Sequence, residues 1–300
     1  MTNKTPSKPW SVEQRLEFIE FMAYWEGSLN RSFIVSHFGV SPQQASNDLA
    51  AYQLMAPDNL WYDLRAKRYA AAPDFVCKLI EPDADRYLRQ LTALTMRTVQ
   101  QGETWLDGTL AADVIPTPAR RVDPSILRGI LAAIRAKRSM EIEYLSLSSG
   151  ASERIWRRVT PHAFGSDGFR WHMRAFCHRD EKFKDFLLSR CGGTRNAGEP
   201  GQDAGEDQDW NEYFDAILTS NPRLSDAQRE VIELDYGMIE GKVNLSIRYA
   251  LLYYFEKRLG ADFAPSRIQA ESGDPRENPI VISNLEEYGA ALHRVGVKKR

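Results

Sequence analysis

The sequence predicts an α+β multidomain protein, and three observations carry that prediction. The chain has 300 residues, 43% of them hydrophobic, which is more than one domain of roughly 100–150 residues requires, so two or three cores are expected. Apolar residues recur at helical spacing in the first quarter of the chain. After Arg138, short β-branched and aromatic runs alternate with Gly, Ser and Asp turns.

At the start of the chain, Leu16, Ile19, Met22 and Ala23 form an apolar stripe, widened by Phe18, Phe21 and Trp25. This predicts a buried helix that Gly27 closes. Asn30 caps a short helix over Arg31–His37, and Gly39 supplies a tight turn. Ser41-Pro42 restarts a helix that runs to about Gln53, since a Ser cap followed by Pro at the first helical position is a strong start signal. Two short strands, Leu60–Leu64 and Lys67–Ala71, meet at Arg65-Ala66 as a wing. Helical patterning returns at Pro82–Gln101 and at Pro124–Arg138. Strands are expected over Met140–Leu147, Ile155–Phe164, Phe169–Cys177 and Phe183–Arg190, as a small barrel or curled sheet. Gly192–Asp209 has the composition of a loop. A strand at Val231–Tyr236, a helix at Leu245–Leu259 and a strand at Pro279–Ser283 then suggest a βαβ-like module. The expected domains are therefore 1–75, a helical linker 76–138, the sheet domain 139–195, an acidic linker 196–215 and a C-terminal module 216–300.

Helix, glycine turn, helix and wing make a winged helix-turn-helix, whose second helix can enter a major groove. Ala45 and Leu49 are expected to face the core, leaving Gln43, Gln44, Ser46 and Asn47 outward beside the cap Ser41. Side-chain amides can pair with adenine N6 and N7 together. Arg31, Lys67 and Arg68 are candidate phosphate contacts, and the expected partner is double-stranded DNA. Residues 1–75 hold 7 Lys and Arg against 8 Asp and Glu, unlike the basic surface usual for DNA binding. That balance implies two copies on an inverted repeat, hence a homodimer.

Charge is unevenly distributed along the chain, although the formal net charge is only −2. Arg120–Arg195 holds 16 Lys and Arg against 8 acids, and Glu199–Glu240 holds 12 acids against 2 Arg. Two readings stay open: an anion-binding middle domain, or two solvated surfaces in weak attraction. In RWHMRAF, strand alternation puts Arg170, His172 and Arg174 on one face and Trp171, Met173 and Ala175 on the other. With Tyr144, Ser146, His162, Phe164 and Arg190, that face could bind an anionic, nucleotide-like or nucleic-acid ligand, guanidinium groups gripping phosphate and aromatic rings stacking on bases. The bland alternative is a solvated face paired with Glu141, Glu143 and Asp185.

RWHMRAF followed by FKDFLLSR resembles the signature strands of WYL-domain regulators. The name-giving triplet is replaced by Trp171-His172-Met173, a variant similar to the BrxR/CapW subgroup of phage-defence regulators. RLEFIEFMAYWEGSLNRS, FGVSPQQASNDLAAYQ, APDNLWYDLRAKRY and LSDAQREVIELDYGM agree with that subgroup. The resemblance implies a Sm-like WYL barrel, a C-terminal WCX-type dimerisation extension and a homodimer that represses a defence operon. It carries over Tyr144, Ser146, His162, His172, Arg174 and Arg190 as pocket positions.

Catalysis is not expected. Adjacent Cys177 and His178 point to opposite faces of a strand, neither CxxC nor HxxxH spacing occurs, and GGTRNAG lacks the Lys-Ser/Thr ending of a phosphate loop. No cofactor or metal is expected. Cys77, Cys177 and Cys191 form no even framework, the first residues hold no apolar run, and no run of about 18 apolar residues occurs, so a cytoplasmic protein without membrane contact is expected. Two functions are compatible with these residues: a ligand-responsive repressor, with the helices Pro82–Gln101 and Pro124–Arg138 relaying the signal, or a nucleic-acid-binding accessory subunit of a defence complex.

Overall fold

The computed structural model describes residues 11–106, 110–118, 120–146, 154–259 and 274–296. The chain divides into two compact units, Met1–Pro116 and Thr117–Arg300, and the division falls inside the segment expected to be a helical linker.

In the first unit, α1 (Val12–Glu26) opens on a capping box between Ser11 and Gln14 and stops at Gly27, whose φ of 71° is free of strain only without a side chain. β1 (Ser28–Leu29) leads to α2 (Arg31–Phe38), where Asn30 accepts the N–H groups of Ser32 and Phe33. Gly39 makes the turn into α3 (Pro42–Met55), which is capped by Ser41. β2 (Leu60–Asp63) and β3 (Arg68–Ala71) form the wing, an antiparallel sheet ordered β1-β3-β2. Phe18, Ile19, Met22, Ile34, Leu49 and Tyr52 fill the core between helices and wing. α4 (Ala84–Thr95) follows, its cap Asp83 accepting from the Arg86 N–H.

Glu20 on α1 has no solvent exposure, and a buried carboxylate is tolerated only where donors surround it. The Tyr52 hydroxyl donates to it at 2.9 Å, and three successive backbone amides, of Lys78, Leu79 and Ile80, donate at 2.8, 2.7 and 2.8 Å. Tyr52 Oη in turn accepts from Asn59 Nδ2 at 3.0 Å. This single side chain therefore ties the segment after the wing back onto α1.

The second unit begins with α5 (Pro124–Ala136), capped by Asp123. β4 (Ser139–Tyr144), β5 (Ile155–Ser166), β6 (Trp171–Cys177), β7 (Lys182–Leu187) and β8 (Cys191–Gly198) form an antiparallel sheet ordered β7-β6-β5-β4-β8. α5 packs Ile126 and Ile130 against Ile142, Val159, Met173 and Phe186 on one face of that sheet. β8 corrects the expected loop at 192–209. An edge strand that draws its stability from backbone pairing with β4 needs no apolar run. Gly129 of α5 lies so close to β8 that an added Cβ would meet Thr194 Oγ1 at 2.7 Å.

Beyond α6 (Gln208–Asn211) come β9 (Tyr213–Ser220), α7 (Asp226–Asp235), β10 (Lys242–Arg248), α8 (Tyr249–Leu259), β11 (Ile280–Ile282) and α9 (Leu285–Arg294). β10 and β11 both run antiparallel to β9, which lies between them in the sheet ordered β10-β9-β11. They are therefore parallel to each other with α8 between them in the chain, a βαβ-like module with other strand bounds than expected. The strand expected at Val231–Tyr236 belongs to α7, which starts at the Ser225–Gln228 capping box and turns Ile232 toward the core. Leu245–Arg248, expected as helix, is the end of β10. β9 lay partly within the expected acidic linker, yet Phe214, Ala216 and Leu218 alternate into the core of this domain.

Replacing Glu20 by Ala leaves three amides and a hydroxyl without their acceptor. The first unit is expected to lose about 3 kcal/mol or more in urea unfolding, and Glu20→Gln less, because one acceptor oxygen remains. An Ala variant within about 0.5 kcal/mol of the parent would show that the clasp is not needed.

Candidate DNA-binding and ligand sites

α3 is braced from beneath. Asp48 on its inner face receives Arg15 Nε at 2.7 Å and Nη2 at 3.1 Å, a two-pronged buried ion pair that fixes α3 to α1. The hydrogen bond to Asp48 and its charge hold the Arg15 guanidinium above its ordinary pKa, against burial. Gln44 Nε2 donates to the same carboxylate at 2.9 Å, so Gln44, expected outward as a base reader, is engaged with Asp48. Ser41, Gln43 and Asn47 are exposed and Ser46 is half-buried. Gln43 Nε2 donates to Asn47 Oδ1 at 3.2 Å. That contact leaves Gln43 Oε1 as acceptor and Asn47 Nδ2 as donor side by side, the pattern that matches adenine N6 and N7. Arg31 is exposed and donates to Ser46 Oγ at 3.2 Å. Lys67 and Arg68 are exposed at the wing tip. There Asp63 accepts the amides of Arg65 and Ala66 at 2.8 and 2.9 Å, and Lys67 adopts φ 54°. Arg15 and Asp48 each sit as a charge within an apolar helix stripe, Arg15 with Phe18, Ile19 and Met22, and Asp48 with Ala45, Leu49 and Tyr52, and that misplaced charge was the overlooked signal for a buried pair.

The side chains expected in one pocket of the sheet domain lie on two faces. Tyr144 is buried in the apolar core, its ring edge-on to Phe186 and its Oη accepting the Leu187 amide at 3.1 Å. Phe164 packs against that same core. His162, His172 and Arg174 lie on the opposite face. A bulge on β5 separates the two sets: Pro161 pairs with Ala175 but Ala163 pairs with Arg174, so His162 is an extra residue. The alternation reverses across it, and Val159 and Phe164, five residues apart, both reach the core. Ser146 and Arg190 are half-buried beyond the ends of β4 and β7.

The expected open cationic face is covered. His172 and Arg174 are 4% and 6% exposed, whereas Trp171, expected inward, is 57% exposed at the strand end. Arg174 Nε and Nη2 donate to Asp207 Oδ2 and Oδ1 at 2.7 and 2.9 Å, and Nη1 donates to Asp185 at 3.2 Å. His162 Nε2 lies 3.0 Å from Asp207. Arg170 is paired with Asp167 at 2.7 Å. Tyr254 of α8 lies against His172 with ring centroids 4.3 Å apart and the planes tilted by 37°, and donates to Asp185 at 3.2 Å. Burial raises Asp207, but hydrogen bonds from Arg174 and His162 outweigh it and hold the carboxyl at about 2. Burial likewise raises Asp185, and there Arg174 and His172 do not overcome it. Among the described residues, no three His, Cys, Asp or Glu side chains converge to hold a metal ion, and no helix is long and apolar enough to cross a membrane.

Residues 11–93 match the BrxR transcriptional regulator winged helix-turn-helix domain, 125–193 the WYL domain, and 213–288 the BrxR transcriptional regulator C-terminal dimerization domain. The DNA-binding transcriptional repressor CapW of Escherichia coli (strain KTE188) is 38% identical over 283 residues, spanning 94% of this chain and 92% of the relative. The chain belongs to the BrxR/CapW family of transcriptional regulators. CapW of Pseudomonas aeruginosa and of Stenotrophomonas maltophilia are 36% and 33% identical, each over 93% of this chain and 91% of the relative. Among solved structures, proteasome accessory factor B/C of Arthrobacter aurescens aligns over 98% of this chain and 50% of its own at 16% identity. Its TM-score of 0.23 is too low to bear on the fold.

In this BrxR/CapW chain Asp185, expected as a pairing partner of the cationic face, does pair with Arg174, whereas Asp167 and Asp207 are closing acids that the sequence reading missed. The signal was present: Asp207 comes from the acidic block that follows the cationic one, and the two blocks meet in a buried contact.

Burial lowers the pKa of His172 below its ordinary 6.5, against the opposing charges of Asp185 and Asp167. The folded ring is therefore neutral at neutral pH. The unfolded chain binds this proton first as pH falls, so the contribution of His172 to stability is present above about pH 6.5 and declines below it. The melting temperature of the second unit is expected to drop between about pH 7 and pH 5, and to drop less in His172→Gln. Equal slopes in the two proteins would exclude His172 as a source of that dependence.

Proposed function

We propose that the chain is a homodimeric, sequence-specific DNA-binding repressor of a phage-defence operon, relieved by an anionic, nucleotide-like ligand at the WYL domain. The observation that carries the DNA-reading part is the exposed Gln43–Asn47 amide pair on a helix held in place by the buried Arg15–Asp48 bridge. A base-reading pair is specific only where its own helix does not move. Arg31 and the wing residues Lys67 and Arg68 would take backbone phosphates, which position the unit without carrying sequence information. Kinship with repressors named CapW, and the match to a dimerization domain over 213–288, support repression by a dimer. Two copies on an inverted repeat double the contacts of a unit that is not basic overall.

The ligand-sensing part draws support from the chemistry of the covered face. There Arg174 and His162 converge on one carboxylate, and the donors around it would equally suit a phosphoryl group. Tyr144 and Phe164 would act from the other face, as support for the sheet rather than as ligand contacts. The accessory-subunit reading needs an open cationic sheet, and the burial and pairing of Arg174 remove that surface.

Gel shifts on the DNA upstream of the chain's own operon test the proposal. Salt-resistant binding to an inverted repeat is expected, with Asn47→Ala costing about 1–3 kcal/mol on that site and little on random DNA. Equal losses on operator and random DNA would remove Asn47 as a base reader. Sequence-blind binding with a steep salt slope by the parent protein would overturn the repressor reading itself.

A further inference from the structure

Asp207 is bound in the manner of a ligand. Its two oxygens take Nε and Nη2 of Arg174 at 2.7 and 2.9 Å, the amide of Trp210 at 3.2 Å and His162 Nε2 at 3.0 Å, with its side chain only 2% exposed. This fork of donors around a small planar anion is the grip that proteins use on carboxylate and phosphate. Asp207 belongs to neither β5 nor β6. It lies on the stretch between β8 and β9, which is pinned to the sheet again where the Gly201 amide donates to Thr160 Oγ1 at 2.8 Å.

Two further observations show that the site is built for more than an internal ion pair. Arg174 keeps a second carboxylate, Asp185 of the neighbouring strand β7, at 3.2 Å, and Asp185 is itself held by the Tyr254 hydroxyl at 3.2 Å. The guanidinium would therefore stay oriented if Asp207 left. Two residues along the same strand, the His172 side chain is buried, and its Nε2 has no hydrogen-bond partner, lying 3.8 Å from Asp167. A buried ring nitrogen left without a partner is costly and calls for an explanation. A ligand larger than a carboxylate would supply that partner.

We propose that Asp207 is an internal substitute for the signalling anion, and that a phosphomonoester or pyrophosphate group activates the sensor by displacing it from Arg174 and His162. The inference rests on the ligand-sensing reading above and adds its ligand class and its mode of action. Displacement has a short path to the C-terminal domain. Asp207 caps α6, Trp210 gives its carbonyl oxygen to Arg248 at the end of β10, and β9, the central strand of the sheet ordered β10-β9-β11, begins at Tyr213. Release of one carboxylate therefore frees the segment that leads into the domain matching the family's dimerization module. The ligand acts by competing with a residue of the protein, so its effect is a differential affinity for the open arrangement, as any allosteric ligand requires.

The test uses the full-length protein and calorimetric titration with inorganic pyrophosphate, a nucleoside 5′-monophosphate, and a short oligonucleotide with and without a 5′-phosphate. Asp207→Asn keeps the shape and removes the competing charge. It is expected to bind at least one phosphorylated compound about tenfold more tightly than the parent, with Arg174→Met in the same background abolishing the gain. Which arm responds separates a free nucleotide from a nucleic-acid end. In the parent, a saturating concentration of that compound is expected to speed amide exchange over residues 204–213. Binding of equal strength by parent and Asp207→Asn overturns the displacement idea and leaves the anion pocket standing. Binding of none of the compounds by either protein removes the pocket, and the displacement idea with it. Should Asp207→Asn fail to fold, the exchange measurement on the parent decides, and unchanged protection of 204–213 with pyrophosphate bound overturns the proposal.

Discussion

The second unit depends on one buried charge pair. Arg174 and Asp207 come from a cationic and an acidic stretch of the chain, and their meeting fastens the segment that starts the C-terminal domain onto a sheet whose other face is already filled by α5. Such a pair gains little over apolar packing of the same volume. Removing one partner, however, strands a buried charge at a cost of about 3–5 kcal/mol. The structure around it follows from that asymmetry. Asp185, Tyr254 and His162 are all needed to complete the hydrogen bonding of two ions withdrawn from water.

The first unit solves a similar problem with two internal acids. Glu20 holds three backbone amides and Asp48 holds Arg15, and neither carboxylate reaches the surface. Asp48 is balanced by the likewise buried Arg15, and setting these and Glu20 aside leaves 6 Lys and Arg against 6 acids in residues 1–75, so the face offered to phosphate is less acidic than the full balance suggests. The same two side chains give the α1–α3 pairing its rigidity. A helix carrying polar reading residues can then stay fixed on a small core, whose apolar contacts alone leave some freedom to rotate.

The helix-turn-helix was legible because each of its boundaries has a local chemical cause: Asn30 and Ser41 as caps, Gly27 and Gly39 at positive φ, Pro42 at a helix start. The C-terminal domain was less so. β9 looked like linker because its inward residues include Ala216 and Ser220, and α7 looked like strand because a short apolar run carries no period of its own. In the sheet domain, alternation put His172 and Arg174 on the face opposite Met173 and Ala175, and they do lie there. Alternation says nothing of what covers a face. Asp207, 33 residues from Arg174, could not be assigned to it by any local rule.

The bulge at His162 makes the residue count of β5 a quantity in its own right. Chain upstream of it is in one phase with the core and chain downstream is in the other, so the strand behaves as two half-strands spliced half a repeat apart. Substitutions within either half act locally. Loss of His162 would bring Val159 and Phe164 four apart and into one phase, both still facing the core opposite Cys177 and Met173, and would remove only the extra side chain that reaches Asp207. A one-codon deletion at the bulge therefore spares the core pattern and costs the charged face one side chain, while an alignment that slips by one position here would mislabel every side chain beyond it.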